Sequence, residues 1–148
     1  MRDLNQWLEE YSVSHRHPTN KLIHNICVPL IMFSVLGLFW AIPRPEFLID
    51  STYFNWATIF SALCMIFYFT LGVKTGLLML MVLIPMIILL AMLETVGVPI
   101  FLTSIIIFVV SWVGQFVGHK IEGKKPSFFQ DLQFLLIGPL WVFRKFAS

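Results

Sequence analysis

The chain has 148 residues, of which 58% are apolar and only 12% charged, with a formal net charge of +2 at pH 7 and two cysteines. A soluble domain carries about a quarter of charged residues, so this composition excludes an ordinary soluble domain, a disordered chain and a nucleic-acid binder with a basic face. It also excludes a disulfide-stapled secreted module and indicates a polytopic membrane protein in the lipid bilayer.

The N-terminal segment, residues 1–21, carries both charge signs and lacks the long apolar run of a signal peptide. Its apolar residues Leu4, Trp7, Leu8 and Tyr11 recur at helical spacing. This pattern predicts a helix that lies at the membrane interface.

Four stretches without Asp, Glu, Lys or Arg follow, and each reaches the roughly 20 residues that a helix needs to cross about 30 Å of hydrocarbon. The runs are continuously apolar and do not alternate with period two, which favours helices over barrel strands. The predicted transmembrane helices are Leu22–Ile42, Asn55–Val73, Thr75–Leu93 and Val98–Val117.

The tail comprises residues 119–148. Its apolar run, Phe134–Phe143, is too short to span a membrane, and Gly138-Pro139 interrupts this run. It is interpreted as a cytoplasmic or interfacial segment. The predicted fold is therefore all-α: one integral membrane domain over 1–148, with four transmembrane helices within 22–118 and flanking interfacial helices.

The basic residues predict the orientation. With the N-terminus inside, only Arg44 of the ten basic residues lies outside. The others flank the cytoplasmic helix ends, namely Arg2, Arg16, Lys21, Lys74, Lys120, Lys124, Lys125, Arg144 and Lys145. The positive-inside rule thus places both termini in the cytoplasm. Whether the membrane is a bacterial inner membrane or the endoplasmic reticulum stays open, as does a homo-oligomeric state.

All four histidines, His15, His17, His24 and His119, fall at the predicted cytoplasmic helix ends. Ionisable residues at membrane depth are candidates for function, and neutral imidazoles are ligands for zinc, copper, iron and nickel. Each histidine taken alone is better explained as an interfacial anchor or as a hydrogen-bonded residue at a helix end. Their shared end of the bundle favours a metal site, in which the number of metal ions stays open.

Near the second histidine region, Trp112, Gln115, His119 and Glu122 are spaced three, four and three residues apart, which forms one polar stripe on a helix. Such a stripe should face the interior of the bundle rather than lipid. Glu122 is open to three interpretations: a metal ligand, a hydrogen-bond acceptor that orients His119, or an ion-pair partner for Lys120 or Lys125.

Three functions are compatible with a histidine cluster of this kind. One is a b-type haem protein with His24 and His119 as axial ligands, and another is a zinc-dependent membrane hydrolase. The third is a non-enzymatic scaffold or transport protein with a structural metal.

Two blocks of the sequence carry a resemblance. The first is YSVSHRHPTNKLIHNICVP, from Tyr11 to Pro29, and the second is WVGQFVGHKIEGKKP, from Trp112 to Pro126. With a weaker Gly138-Pro139 block, they resemble the small membrane family of iron(II)-dependent 2-hydroxy fatty acid dioxygenases, named for the metabolism of phytosphingosine to odd-numbered fatty acids. Ser127 follows Pro126 where the family pattern leads us to expect a small residue such as Ala, which is a mild departure.

The resemblance implies an enzyme that uses Fe(II) and O2 to convert a long-chain 2-hydroxy fatty acid to CO2 and the acid one carbon shorter. Matched by position, His15, His24 and His119 become the expected iron ligands. Tyr11, Asn20, Gln115 and Glu122 become the expected catalytic residues, which support the ligands or contact the substrate. His17 falls between the motif positions, and the chain length of the substrate is not implied.

Overall fold

The computed structural model describes residues 3–13, 15–48, 52–123 and 136–143. Its helices are α1 (Leu4–Val13), α2 (Pro18–Ala41), α3 (Trp56–Thr70), α4 (Val73–Thr95), α5 (Ile100–Glu122) and α6 (Ile137–Phe143), with a short 3-10 turn at Glu46–Leu48. These described residues contain no strand. The predicted all-α fold class is confirmed.

Three helices are long and apolar enough to cross a membrane: α2 with 24 residues, and α4 and α5 with 23 each. They coincide with predicted transmembrane helices, and each extends beyond the prediction at one end or at both. The α2 helix begins at Pro18 rather than Leu22, since proline suits the first turn, where its missing N–H costs nothing. The α5 helix continues past Val117 to Glu122, so the predicted polar stripe is helical to its end.

The α3 helix is shorter than predicted, with 15 residues, or about 22 Å at 1.5 Å per residue. It begins sharply because the side chain of Asn55 accepts hydrogen bonds from the N–H groups of Ala57 and Thr58, while the Thr58 hydroxyl accepts one from Asn55. It ends before Gly72, whose φ of 140° lies in a region that glycine adopts readily.

The chain divides into two compact units, and the second is Phe33–Phe108. Within it α3 packs along α4. Glu94, in the last turn of α4, accepts a hydrogen bond from the Trp40 indole N–H and lies 3.6 Å from the guanidinium of Arg44. The C-terminal ends of α2 and α4 therefore meet.

The first unit, Met1–Met32 with Val109–Ser148, combines α1 and α6 with the N-terminal part of α2 and the C-terminal part of α5. The two short helices are the ones for which the sequence predicts an interfacial position. They pack against each other and bury their apolar side chains. These are Leu8 and Tyr11 in α1 and Ile137, Leu140 and Val142 in α6.

Some sequence predictions fall outside the described residues. They concern the basic residues Arg2, Lys124, Lys125, Arg144 and Lys145, the departure at Ser127 and the first part of the tail. The orientation in the membrane and the single domain over 1–148 stay predictions.

Candidate functional site

Three buried imidazoles meet in the first unit. His15 lies in the link between α1 and α2, His24 in the second turn of α2, and His119 in the last turn of α5. The ring centroids are 4.1 Å apart for His15 and His24, 5.5 Å for His24 and His119, and 6.1 Å for His15 and His119. Their exposed fractions are 4%, 1% and 5%. The two chain regions that the sequence singled out therefore converge.

Two of the rings are held by backbone carbonyl groups one helical turn earlier. Nδ1 of His15 lies 2.6 Å from the carbonyl oxygen of Tyr11, and Nδ1 of His24 lies 3.0 Å from that of Asn20. A carbonyl oxygen only accepts hydrogen bonds, so each Nδ1 carries the proton. In the neutral imidazole, Nε2 then keeps the lone pair that a metal ligand requires.

The donor types in this cluster fit a metal, but the rings pack edge to face, with interplanar angles of 75° and 87° at His24. In the described part of the chain, no group of three or more His, Cys, Asp and Glu side chains is arranged to hold a metal ion. The histidine ligands and Fe(II) therefore stay predictions, supported by the convergence of the rings and by the tautomers that their hydrogen bonds select.

His17, the fourth histidine, takes no part in the cluster. Its ring is exposed, and its Nδ1 accepts a hydrogen bond of 3.2 Å from the N–H of Thr19. The ring thus accepts a hydrogen bond from one of the N–H groups at the start of α2 that have no partner within the helix, and so acts as a helix cap.

Glu122 binds the start of α2 from the end of α5. Its carboxylate oxygens accept hydrogen bonds from the backbone N–H of Arg16 at 3.0 Å and of His17 at 2.8 Å, and from the Asn20 side-chain amide at 3.0 Å. An anion at this place satisfies backbone donors and interacts favourably with the helix dipole. Glu122 therefore caps a neighbouring helix, a role that the sequence analysis did not include, while its role as a metal ligand stays a prediction and Lys125 lies outside the described residues.

Gly118 lets α5 approach α2 at the imidazoles. A Cβ atom added to Gly118 would collide with Oδ1 of Asn20 and lie 3.2 Å from Cε1 of His24. A larger residue would force the buried Asn20 side chain, or the helix that carries it, to shift. The glycine therefore permits the close contact of α5 with Asn20 and His24.

Aromatic side chains cover His15. The ring of Tyr11 stacks on it with centroids 4.1 Å apart and planes 4° apart, and the ring of Trp141 lies 5.5 Å away. Trp141 is anchored because its indole N–H donates a 2.9 Å hydrogen bond to the hydroxyl of Ser12. The sequence analysis missed both Trp141 and Ser12. Its only available signal was the weak Gly138-Pro139 block, which lies at the start of α6.

The predicted site residues that remain are Asn20 and Gln115. Asn20 is fully buried and links Glu122 to His24 through its side chain and its carbonyl group. Gln115 lies one turn before His119 on the same face of α5 and is 7% exposed. Among the described residues, its Oε1 has no hydrogen-bond partner.

Comparison with known proteins gives the same family as the motifs. The family model described as "2-hydroxy-palmitic acid dioxygenase Mpo1-like" matches residues 1–148. The 2-hydroxy-palmitic acid dioxygenase MPO1 of Saccharomyces cerevisiae is 30% identical over 148 residues, which cover 97% of this chain and 79% of the yeast protein. No solved structure matches the chain. The match over the whole length, together with the converging motif residues, shows that this chain belongs to the Mpo1-like family.

Proposed function

We propose that this protein is an Fe(II)-dependent dioxygenase that shortens 2-hydroxy fatty acids by α-oxidation. One acid and one O2 give CO2, water and the fatty acid one carbon shorter, which balances all atoms. The name of the yeast relative supports the substrate class and the dioxygenase reaction. The iron and the products rest on the resemblance of the motifs.

The observation that carries the proposal is the meeting of three buried imidazoles from three separate segments. The hydrogen bonds of His15 and His24 to backbone carbonyl groups direct the proton to Nδ1 in both rings. In both neutral rings, Nε2 therefore carries a lone pair that can bind a metal ion. Together with His119, these two rings would hold the iron, which would supply redox chemistry with O2.

The position of the imidazoles along the helices suits a lipid substrate. His24 and His119 lie near one end of two helices that are long enough to cross a membrane. An acyl chain belongs in the hydrocarbon layer and its carboxylate at the headgroup level, so C1 and C2 of the acid would lie beside these helix ends. We place this face, and both termini, on the cytoplasmic side of a bacterial inner membrane or of the endoplasmic reticulum.

The surrounding residues hold the imidazoles rather than react. Glu122 and Asn20 fasten the start of α2, which carries His24, and the ring of Tyr11 stacks on His15. Buried and fixed in this way, the imidazoles lose little freedom when substrate binds, which is the condition for catalysis by positioning.

The test is turnover by protein purified without O2 and loaded with Fe(II). With 2-hydroxypalmitic acid and O2, mass spectrometry should detect the acid one carbon shorter and release of CO2. The same protein without O2, or with zinc in place of iron, should give neither product. Equal turnover without O2, or an acid of unchanged length, would contradict the proposal and favour a zinc-dependent hydrolase.

A further inference from the structure

Two polar side chains on α5 are buried without a hydrogen-bond partner among the described residues. They are Ser111, which is 2% exposed, and Gln115, which is 7% exposed, and the atoms concerned are Oγ and Oε1. A buried polar group left unsatisfied costs about 1 to 3 kcal/mol. Both residues belong to the first unit and share a face of α5 with His119, since each is one turn from the next.

Other buried or part-buried hydroxyls in the same protein do not show this deficiency. Ser61 donates to the carbonyl oxygen of Ala57 at 2.8 Å, and Thr95 donates to that of Ala91 at 2.9 Å. A helix thus offers its own carbonyl groups to polar side chains. Gln115 cannot be satisfied in this way at Oε1, because an amide oxygen only accepts and therefore needs a donor from outside.

We propose that Oε1 of Gln115 accepts the hydrogen bond of the substrate's 2-hydroxyl group and so determines the specificity for 2-hydroxy acids. The inference rests on the proposed function, in which the acid head lies at the imidazoles. Gln115 is one turn from His119, whereas Ser111 is two turns away. The 2-hydroxyl is on the carbon next to the carboxylate, so with the acid head at the imidazoles this hydroxyl would lie closer to Gln115 than to Ser111.

This assignment explains how the protein would reject the unsubstituted acid. A fatty acid without the 2-hydroxyl has no donor at C2, so binding it would leave the amide oxygen buried and unpaired. A site built to bond a substrate hydroxyl discriminates strongly against the analogue that lacks it, whereas an apolar pocket distinguishes such analogues poorly.

The experiment compares binding of 2-hydroxypalmitic acid and palmitic acid to the full-length holoprotein without O2, so that no turnover occurs. The wild-type protein should bind the 2-hydroxy acid at least about tenfold more tightly. Gln115→Met removes the acceptor at similar volume. It should weaken binding of the 2-hydroxy acid about tenfold and leave palmitic acid unchanged or bound more tightly. Gln115→Leu is a second variant with the same expectation.

The controls separate this role from a structural one. Val113→Met places the same side chain on an exposed position of α5 and should preserve the wild-type ratio. Without ligand, Gln115→Met should unfold at the wild-type temperature or higher, because no hydrogen bond is lost; a lower temperature would indicate a structural role and overturn the inference. Ser111→Ala should preserve the ratio of the two affinities.

Several outcomes would overturn the inference. They are equal affinity of the wild type for both acids, an unchanged ratio in both Gln115 variants, or a ratio that collapses only in Ser111→Ala. Turnover by the wild type is measured separately. A protein that oxidises 2-hydroxypalmitic acid but discriminates equally well without Gln115 keeps the proposed function and loses this inference.

Discussion

The carboxylate of Glu122 accepts a 2.8 Å hydrogen bond from the backbone N–H of His17, although 105 residues separate them in the chain. This contact joins the end of α5 to the start of α2. His119 lies one turn before Glu122, and His24 lies two turns after His17. The bond therefore ties together the two helix ends that carry these imidazoles.

Replacement of Glu122 should show whether its carboxylate acts as a helix cap or as a metal ligand. Glu122→Ala removes the acceptor for two exposed backbone N–H groups and the Asn20 amide, and we expect the free energy of unfolding to fall by about 0.5 to 2 kcal/mol, as for loss of a helix cap. Glu122→Gln keeps one acceptor oxygen and should lose less. Thermal unfolding in detergent measures both, with the exposed Glu9→Gln as control.

The same variants report on iron. If Glu122 acts only as a cap, Glu122→Gln should retain its bound iron, measured by elemental analysis, and turn over more slowly. Loss of iron from Glu122→Gln with an unchanged unfolding temperature would contradict the cap and make the carboxylate a ligand.

The three clustered histidines should be necessary for metal binding. His15→Ala, His24→Ala and His119→Ala should each abolish turnover and remove most of the iron, because each deletes one of the converging imidazoles. His17→Ala is the matched control, since its ring is exposed and caps α2 instead. Full iron content and full turnover in the His119 variant would show that the metal lies elsewhere.

Gly118→Ala tests the close approach of α5 to α2. The added methyl group would collide with Oδ1 of Asn20 and press on His24, so we expect a loss of about 1 to 3 kcal/mol in stability. Turnover should fall further than stability explains, because the imidazoles move apart. Val117→Ala, at a neighbouring exposed position, should have little effect. The unfolding temperature, the iron content and the turnover of the two variants are compared.

The orientation is testable by cysteine labelling after Cys27 and Cys64 are replaced by alanine. A cysteine at Phe47, which is 84% exposed, should react with an impermeant reagent from the periplasmic or lumenal side. A cysteine at Lys120, an exposed residue of α5, should react only after the membrane is opened. The reverse pattern would place the histidine cluster on the opposite face.

The helical membrane fold could be predicted because it depends on local properties of the chain. Long runs without charge leave the backbone no partner but itself in lipid, so helices over the α2, α4 and α5 regions follow from composition and length. The ends of the helices could not be predicted as well. The start of α2 is capped by Glu122 from about a hundred residues away, and α3 ends before Gly72, whose φ of 140° is not readable from the sequence.

The candidate site was predictable as a set of residues and not as an arrangement. The place of the four histidines at the predicted cytoplasmic helix ends marked them as a group, and the resemblance to the family selected His15, His24 and His119 among them. Only the tertiary structure decided that Glu122 is a cap, that Trp141 covers His15, and that Gln115 is buried without a partner among the described residues. These facts depend on contacts between residues about a hundred positions apart, for which local sequence carries no signal.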